Sequence, residues 1–387
     1  MSDEDVLLEE GAREHDNAKD KRKSFAATIN ATYLHYEKVV KMVVLAIVGA
    51  WGVIVLGYVI FAPSKATAGD VITVQNAPGG IAEDAFPLST RFLVIGDYGT
   101  GDDSQIKVAQ TFKKHAGSLD PRPVFVISAG DQVYEHGITS AEDPVLATRF
   151  EKMYEHPNLQ VPWYITIGNH DCEGSINAML QYAGMKNSLW YMPQRYYKID
   201  RPVAPKTIIR MIVLDECDLV CGQEPRNVRC KEPMNKQSSP ETRSQQYRWI
   251  EQALSADKPA GVDRMWKVVV GHWGVFSYAG NADTPELIQS LDPLLKKYKV
   301  HAYFSGHDHC MQHIKKYQNG WAMNYFVSGA GGYRVHDLKP NARANSDLVH
   351  AAMTHGFMSA LMTRDLFRVQ LIDKTGDILY TTDVQYE

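Results

Sequence analysis

Asp97, Asp131, Asn169, His272, His307 and His309 each stand directly or closely behind a glycine that ends an apolar run, and Tyr134 follows Asp131 by three positions. Carboxylates, imidazoles, an amide oxygen and a phenolate are hard or borderline donors that suit a pair of divalent or trivalent cations. One such residue alone says little. An Asp after a strand-ending Gly commonly caps a helix or closes a turn, and a lone His is commonly a hydrogen-bonded structural group. Gathered at one edge, they point to two adjacent metal ions, which offset the repulsion between neighbouring carboxylates.

For these residues to meet, the runs that carry them must lie side by side. Arg91 to Ile95, Val124 to Ser128, Trp163 to Ile167, Ile208 to Leu214, Val268 to Val270 and Val300 to Phe304 read as short buried strands. Helices are predicted near 103–116 and from Pro240 to Leu254, the latter opened by Ser239 with Glu241 and Thr242 in its first turn. Sites in open α/β sheets form at the carboxyl ends of strands, where a glycine lets the chain turn sharply. Apolar and polar residues alternate in Met323 to Val327, Leu366 to Ile372 and Ile378 to Tyr380, which reads as strands of a second packed sheet. The expected fold class is α/β (α+β), a two-sheet sandwich flanked by helices.

The ordered set GDYG (96–99), GDQVY (130–134), GNHD (168–171), VVGH (269–272) and GHDH (306–309) resembles the metallophosphoesterase superfamily, specifically purple acid phosphatases of the small tartrate-resistant type. VPWY before GNHD and SGAGG at 328–332 are similar to that family as well. The resemblance implies a calcineurin-like metallophosphoesterase fold and an acid phosphatase, a phosphoric monoester hydrolase acting on a small molecule or phosphoprotein. It implies a first metal, Fe(III), on Asp97, Asp131, Tyr134 and His309. The second, Fe(II), Zn or Mn, is implied on Asp131, Asn169, His272 and His307. Hydroxide activated by the metals would attack phosphorus, His170 would protonate the departing alkoxide, and Asp171 would orient His170. Many metallophosphoesterases begin with Asp-x-His, but the position two after Asp97 is Gly99, and Tyr134 makes good the missing ligand. The chain departs from the small purple phosphatases at Asn281, where they have a second substrate-side histidine, at Cys172, where they have a histidine, and at Gly274, where they have a proline. A phosphodiesterase or nucleotidase on the same fold is the alternative enzyme. A catalytically weak receptor or adhesion module is the alternative outside enzymes, and the full set of seven ligand positions argues against it.

The 387 residues are 44% hydrophobic and 22% charged, the balance of a folded protein. With 41 Lys plus Arg against 45 Asp plus Glu, the net charge is -4, without the basic excess that nucleic-acid backbones require. Residues 42–61 contain no charge, Asn, Gln or Pro, and as a helix span roughly 30 Å, so they read as a transmembrane signal-anchor. The triplet Ala66-Thr67-Ala68 keeps late cleavage open. Arg22, Lys23, Lys38 and Lys41 precede the span within twenty residues and only Lys65 follows, which places the N-terminus in the cytosol and the rest in a lumen or outside the cell. The expected organisation is a cytosolic tail (1–41), the span (42–61), a stalk (62–88) and a catalytic domain (89–387). The sole sequon, at Asn30, falls in the tail and is expected to be unused. Asp3 to Leu8 resembles an acidic dileucine signal read by sorting adaptors, which suits an endosome or lysosome as well as the cell surface. Of five cysteines, two of Cys217, Cys221 and Cys230 are expected to pair, with the choice open. Cys172 and Cys310 read as buried small hydrophobes, the alternative being that they approach one another near the site.

Overall fold

The computed structural model describes residues 86–225, 227–318 and 320–386. The tail, the 42–61 span and most of the stalk lie outside them, and no helix among the described residues is long and apolar enough to cross a membrane. In chain order the elements are β1 (Thr90–Ile95), α1 (Asp103–Ser118), β2 (Pro123–Ser128), β3 (Trp163–Ile165), α2 (Asn169–Glu173), α3 (Ile176–Ala183), β4 (Trp190–Tyr191), β5 (Tyr197–Ala204) and β6 (Thr207–Val213). There follow α4 (Glu216–Cys221), α5 (Glu232–Lys236), α6 (Pro240–Ser255), β7 (Arg264–Val270), α7 (Pro285–Ser290), α8 (Asp292–Lys297) and β8 (Ala302–Ser305). The chain ends with β9 (Met311–Gln318), β10 (Trp321–Ser328), β11 (Leu348–Ala352), β12 (Gly356–Met362), β13 (Leu366–Asp373) and β14 (Ile378–Gln385).

Two seven-stranded sheets result, ordered β14-β13-β12-β1-β2-β3-β4 and β11-β9-β10-β8-β7-β6-β5. In the first, β1 to β4 run parallel and β12 to β14 continue antiparallel from β1. In the second, β6, β7, β8 and β10 run parallel between the antiparallel strands β5 and β9. The expected sandwich is present, but the C-terminal strands do not form a sheet of their own. β10 completes the second sheet, while β12 returns to pair with β1 from Thr90↔Met362 to Val94↔Met358. The reason is local: β1 is buried and has a second edge, which β2 leaves unpaired and only another strand can satisfy.

The parallel strands are near-continuous apolar runs because both faces are covered. Phe92 of β1 stacks on Phe125 of β2 at 4.7 Å and meets Phe304 of β8 at 6.5 Å, so rings from the two sheets close the core. Helix α1 starts at Asp102, whose carboxylate accepts from the Ser104 and Gln105 amides, and it buries Val108, Ala109, Phe112 and Ala116. Helix α6 begins at the expected Ser239 with a Ser239/Thr242 capping box and Pro240 in its first turn. Its far end is held by buried Arg210, which donates to both Asp200 oxygens at 2.8 and 2.7 Å and to the carbonyls of Ala253, Ala256 and Asp257.

Two disulfides tie the helices together. Cys221 pairs with Cys230 across a loop, as the cysteine cluster suggested. Cys172 is buried as expected, but it is bonded to Cys217, which corrects its reading as an unpaired hydrophobe. The turns after β3 and β6 bring α2 and α4 together at the carboxyl edge, where the two Cα atoms lie 6.5 Å apart. Cys310 is free and buried.

Candidate metal centre

Each candidate ligand leaves the carboxyl end of a parallel strand. Asp97 follows β1, Asp131 follows β2, Asn169 begins α2 after β3, His272 follows β7, and His307 and His309 follow β8. The first three come from one sheet and the histidines from the other. Asp97, Asp131 and His307 have φ of 58, 54 and 63°, a left-handed conformation that non-glycine residues adopt rarely and that concentrates at functional sites.

The structure brings all seven residues together. Tyr134 Oη lies 3.0 Å from Asp131 Oδ2 and 3.2 Å from Asp97 Oδ1. His309 Nε2 is 3.5 Å from Asp97 Oδ1, and His272 Nε2 is 3.5 Å from Asp131 Oδ2. Asn169 Oδ1 is shared, 3.0 Å from His272 Nε2 and 2.8 Å from His307 Nδ1. Ligand atoms of Asp97, Asp131 and His272 all fall within 4.8 Å of one another. Asp131 thus stands between two groups of donors.

The surroundings aim these donors. His272 Nδ1 donates to Ala129 O at 2.8 Å and His309 Nδ1 to Arg334 O at 3.0 Å. Because a carbonyl only accepts, the proton stays on Nδ1 and Nε2 faces inward, the arrangement found where imidazole binds metal. Glu216 on α4 accepts from the His272 and Trp273 amides, both at 2.7 Å, and its burial pushes its carboxyl up to about 7. Asp171 was expected to orient His170, but its buried carboxylate takes the Gly168 and Asp131 amides at 2.8 Å and that of Gln132 at 3.1 Å, so it holds the Asp131 turn. The half-buried His170 ring sits 4.5 Å from the Tyr134 ring, and its Nδ1 faces the Glu135 carbonyl. Asn281 donates to His307 O, so the residue that departs from the family touches the backbone of a candidate ligand.

The donor chemistry fits cations. Burial drives Asp97 above the ordinary carboxylate range, with His309 opposing. Burial would raise Asp131 too, but neighbouring His272 and His170 bring it below that range. Burial works against charge on His272 in turn, yet Asp131 outweighs it and lifts the imidazole to about 10. Two buried carboxylates therefore hold a proton on His272, and a cation bound to Asp131 would take its place. The missing Asp-x-His histidine also has a physical reason: a Cβ on Gly99 would lie 1.8 Å from Gln132 O, so no side chain fits. Tyr134, whose amide donates to Gly99 O at 2.9 Å, reaches the same donors from the opposite turn.

Sequence reasoning missed Tyr333 and His336. Tyr333 stacks on Tyr134 at 4.1 Å, and His336 lies 4.2 Å from the His309 ring with Nδ1 2.7 Å from Asp308 Oδ1. The signal was present in SGAGG, which turns β10 directly into this segment.

The family model for calcineurin-like phosphoesterases matches residues 90–311. Purple acid phosphatase 4 of Arabidopsis thaliana is 29% identical over 326 residues, covering 81% of this chain and 87% of the relative. Tartrate-resistant acid phosphatase type 5 of Oryctolagus cuniculus is 30% identical over 257 residues, covering 65% and 75%. Among solved structures, GAP50 of Plasmodium, titled the anchor in the inner membrane complex, shares the fold with a TM-score of 0.66 at 22% identity, covering 78% of this chain and 90% of that one. The named phosphatases are phosphomonoester hydrolases, and the chain belongs with them to the calcineurin-like phosphoesterase family, as a purple acid phosphatase-like member.

Proposed function

We propose that the chain is a dinuclear-metal acid phosphatase that hydrolyses phosphomonoesters, anchored by residues 42–61 with its catalytic domain lumenal or extracellular. The observation that carries this reading is the position of Asp131, 3.0 Å from the Tyr134 hydroxyl on one side and 3.5 Å from His272 Nε2 on the other. Asp97, Asp131, Tyr134 and His309 would hold the first ion, and Asp131, Asn169, His272 and His307 the second; a phenolate favours Fe(III) in the first set. When bound, such cations supply charge neutralisation for a phosphate group and a lowered pKa for water.

The protein's own groups do the rest. Tyr134 and the His309 and His307 rings wall the site, and Asp171 fixes the Asp131 turn through three amides. His170 donates from Nδ1 to the Glu135 carbonyl, so the proton it gives to the departing alkoxide is carried on Nε2. Its amide donates to Asp131 Oδ1 at 2.9 Å, which ties the position of the acid to that of the shared carboxylate.

The test is the visible spectrum and metal content of the purified protein, with turnover of a monoester compared with a diester. A purple band with iron bound, lost together with turnover in His272→Ala and Asp131→Ala, is expected. A colourless protein with divalent metals would remove the ferric set. Absence of metal and of turnover would sink the enzyme reading, and faster diester cleavage would move it to the phosphodiesterases. Protease protection of the tail in sealed membranes tests the anchor and its orientation.

A further inference from the structure

The rim of the candidate metal centre carries a carboxylate that the mechanism does not use. Glu135 is exposed, directly follows Tyr134, and among the described residues has no cationic partner. Its place is nevertheless defined from both ends. Its backbone carbonyl receives the His170 ring nitrogen, and its carboxylate oxygens accept from the Tyr333 hydroxyl at 3.2 and 3.4 Å. Tyr333 is itself fixed, stacked within 13° of parallel on Tyr134 and set edge-on to His309 at 5.0 Å. The Tyr333 ring also lies 6.1 Å from the ring of His170.

Glu135 and Tyr333 therefore border the residue that, on the phosphatase reading, would protonate the departing alcohol. An unpaired carboxylate there repels an anionic alcohol and attracts a cationic one. Arg334 follows Tyr333 on the same loop; its carbonyl is taken by His309, and its charge is felt at the Tyr333 hydroxyl without an ion pair to Glu135. Resting on the phosphatase reading, we propose that Glu135, oriented by Tyr333, is a specificity-determining residue that selects phosphomonoesters whose short alcohol bears an ammonium group.

The test uses the metal-loaded full chain and two nearly isosteric phosphonates that cannot be hydrolysed, 2-aminoethylphosphonate and propylphosphonate, with binding measured by calorimetry. For one charge-assisted contact at an exposed rim, the aminoethyl compound should bind about fivefold tighter than the propyl compound. Glu135→Gln should bring that ratio close to one, and Tyr333→Phe, which keeps the ring and removes the hydroxyl, should reduce it in part. The ratio of kcat/KM for phosphoethanolamine over propyl phosphate should move the same way. Equal binding of the two phosphonates by the unaltered protein, or a preference that survives Glu135→Gln, overturns the assignment even if both esters are hydrolysed. A Glu135-dependent preference without turnover upholds the assignment and counts against hydrolysis instead. If neither phosphonate binds, both readings fall.

Discussion

Replacement of Gly130 by alanine tests how tightly the backbone turn and the candidate ligands are linked. Gly130 has a φ of 94°, and a Cβ there would lie 2.2 Å from His272 Nδ1 and 2.7 Å from its Cγ. The left-handed backbone costs an L-residue about 1–2 kcal/mol. Relieving the clash requires the His272 ring to move, which breaks its 2.8 Å bond to Ala129 O, worth about 1 kcal/mol. Forcing a methyl into that packed corner adds about 1–3 kcal/mol. Gly130→Ala should therefore cost about 3–6 kcal/mol by the sum of these effects. Gly320 provides the control: its φ is 75° and, among the described residues beyond its chain neighbours, no atom lies within 4 Å of the added Cβ, so Gly320→Ala should show only the backbone cost of about 1–2 kcal/mol. Denaturant unfolding gives both values, and metal titration gives the second readout. Displacing a ring held by its hydrogen-bonded carbonyl should weaken metal binding at least 10- to 100-fold, by analogy with other outer contacts of metal ligands. A Gly130→Ala protein as stable as Gly320→Ala, with unchanged metal content, would refute the reasoning.

Arg210→Met should destabilise the domain by about 3 kcal/mol, because it leaves buried Asp200 without its two close hydrogen bonds and with only Lys198 Nζ at 3.8 Å, and Arg210→Met with Asp200→Leu should recover most of that in the same unfolding assay. Opening the Cys172–Cys217 bridge, with a sequence separation of 45, should cost about 4 kcal/mol against about 2.7 kcal/mol for Cys221–Cys230, with a separation of 9, on loop-closure entropy; serine pairs at each bridge check the order. Burial holds the His301 imidazole down to about 3, so the unfolded chain binds the extra proton between there and about 6.5, and stability falls as pH drops through that window. Between pH 7 and 5 the loss from His301 should be about 2 kcal/mol, and His301→Gln should flatten the measured pH dependence by that amount.

The positions that carry the site could be read because each is punctuated by a glycine at a strand end, and strand ends in a parallel sheet share one edge. The strands β1, β2, β6, β7 and β8 and the helices α1 and α6 were legible for the related reason that long apolar runs and capping residues are local signals. Partner choice was not legible. The alternation in Leu366 to Ile372 marks a half-buried strand, but nothing in it says that its neighbour β12 pairs with β1, 264 residues earlier in the chain at Val94 and Met358. The Cys172–Cys217 bridge was hidden similarly, since it depends on where two turns from different sheets meet. Asp171 shows a third limit: a carboxylate next to a histidine in sequence suggests a partnership, whereas the first turn of α2 directs it back to three amides.

The division of the donors between the sheets has a mechanical consequence. The carboxylates and the amide belong to the sheet of β1, β2 and β3, and the imidazoles to that of β7 and β8. Neither sheet alone offers a balanced coordination sphere: one half supplies the carboxylates and the other the imidazoles. Ions seated between them would act as rivets across the sandwich, so that chelation and a loosening of one sheet against the other become a single event. The melting temperature would then report occupancy directly, and a catalytically silent relative that kept these ligands could be keeping them for strength.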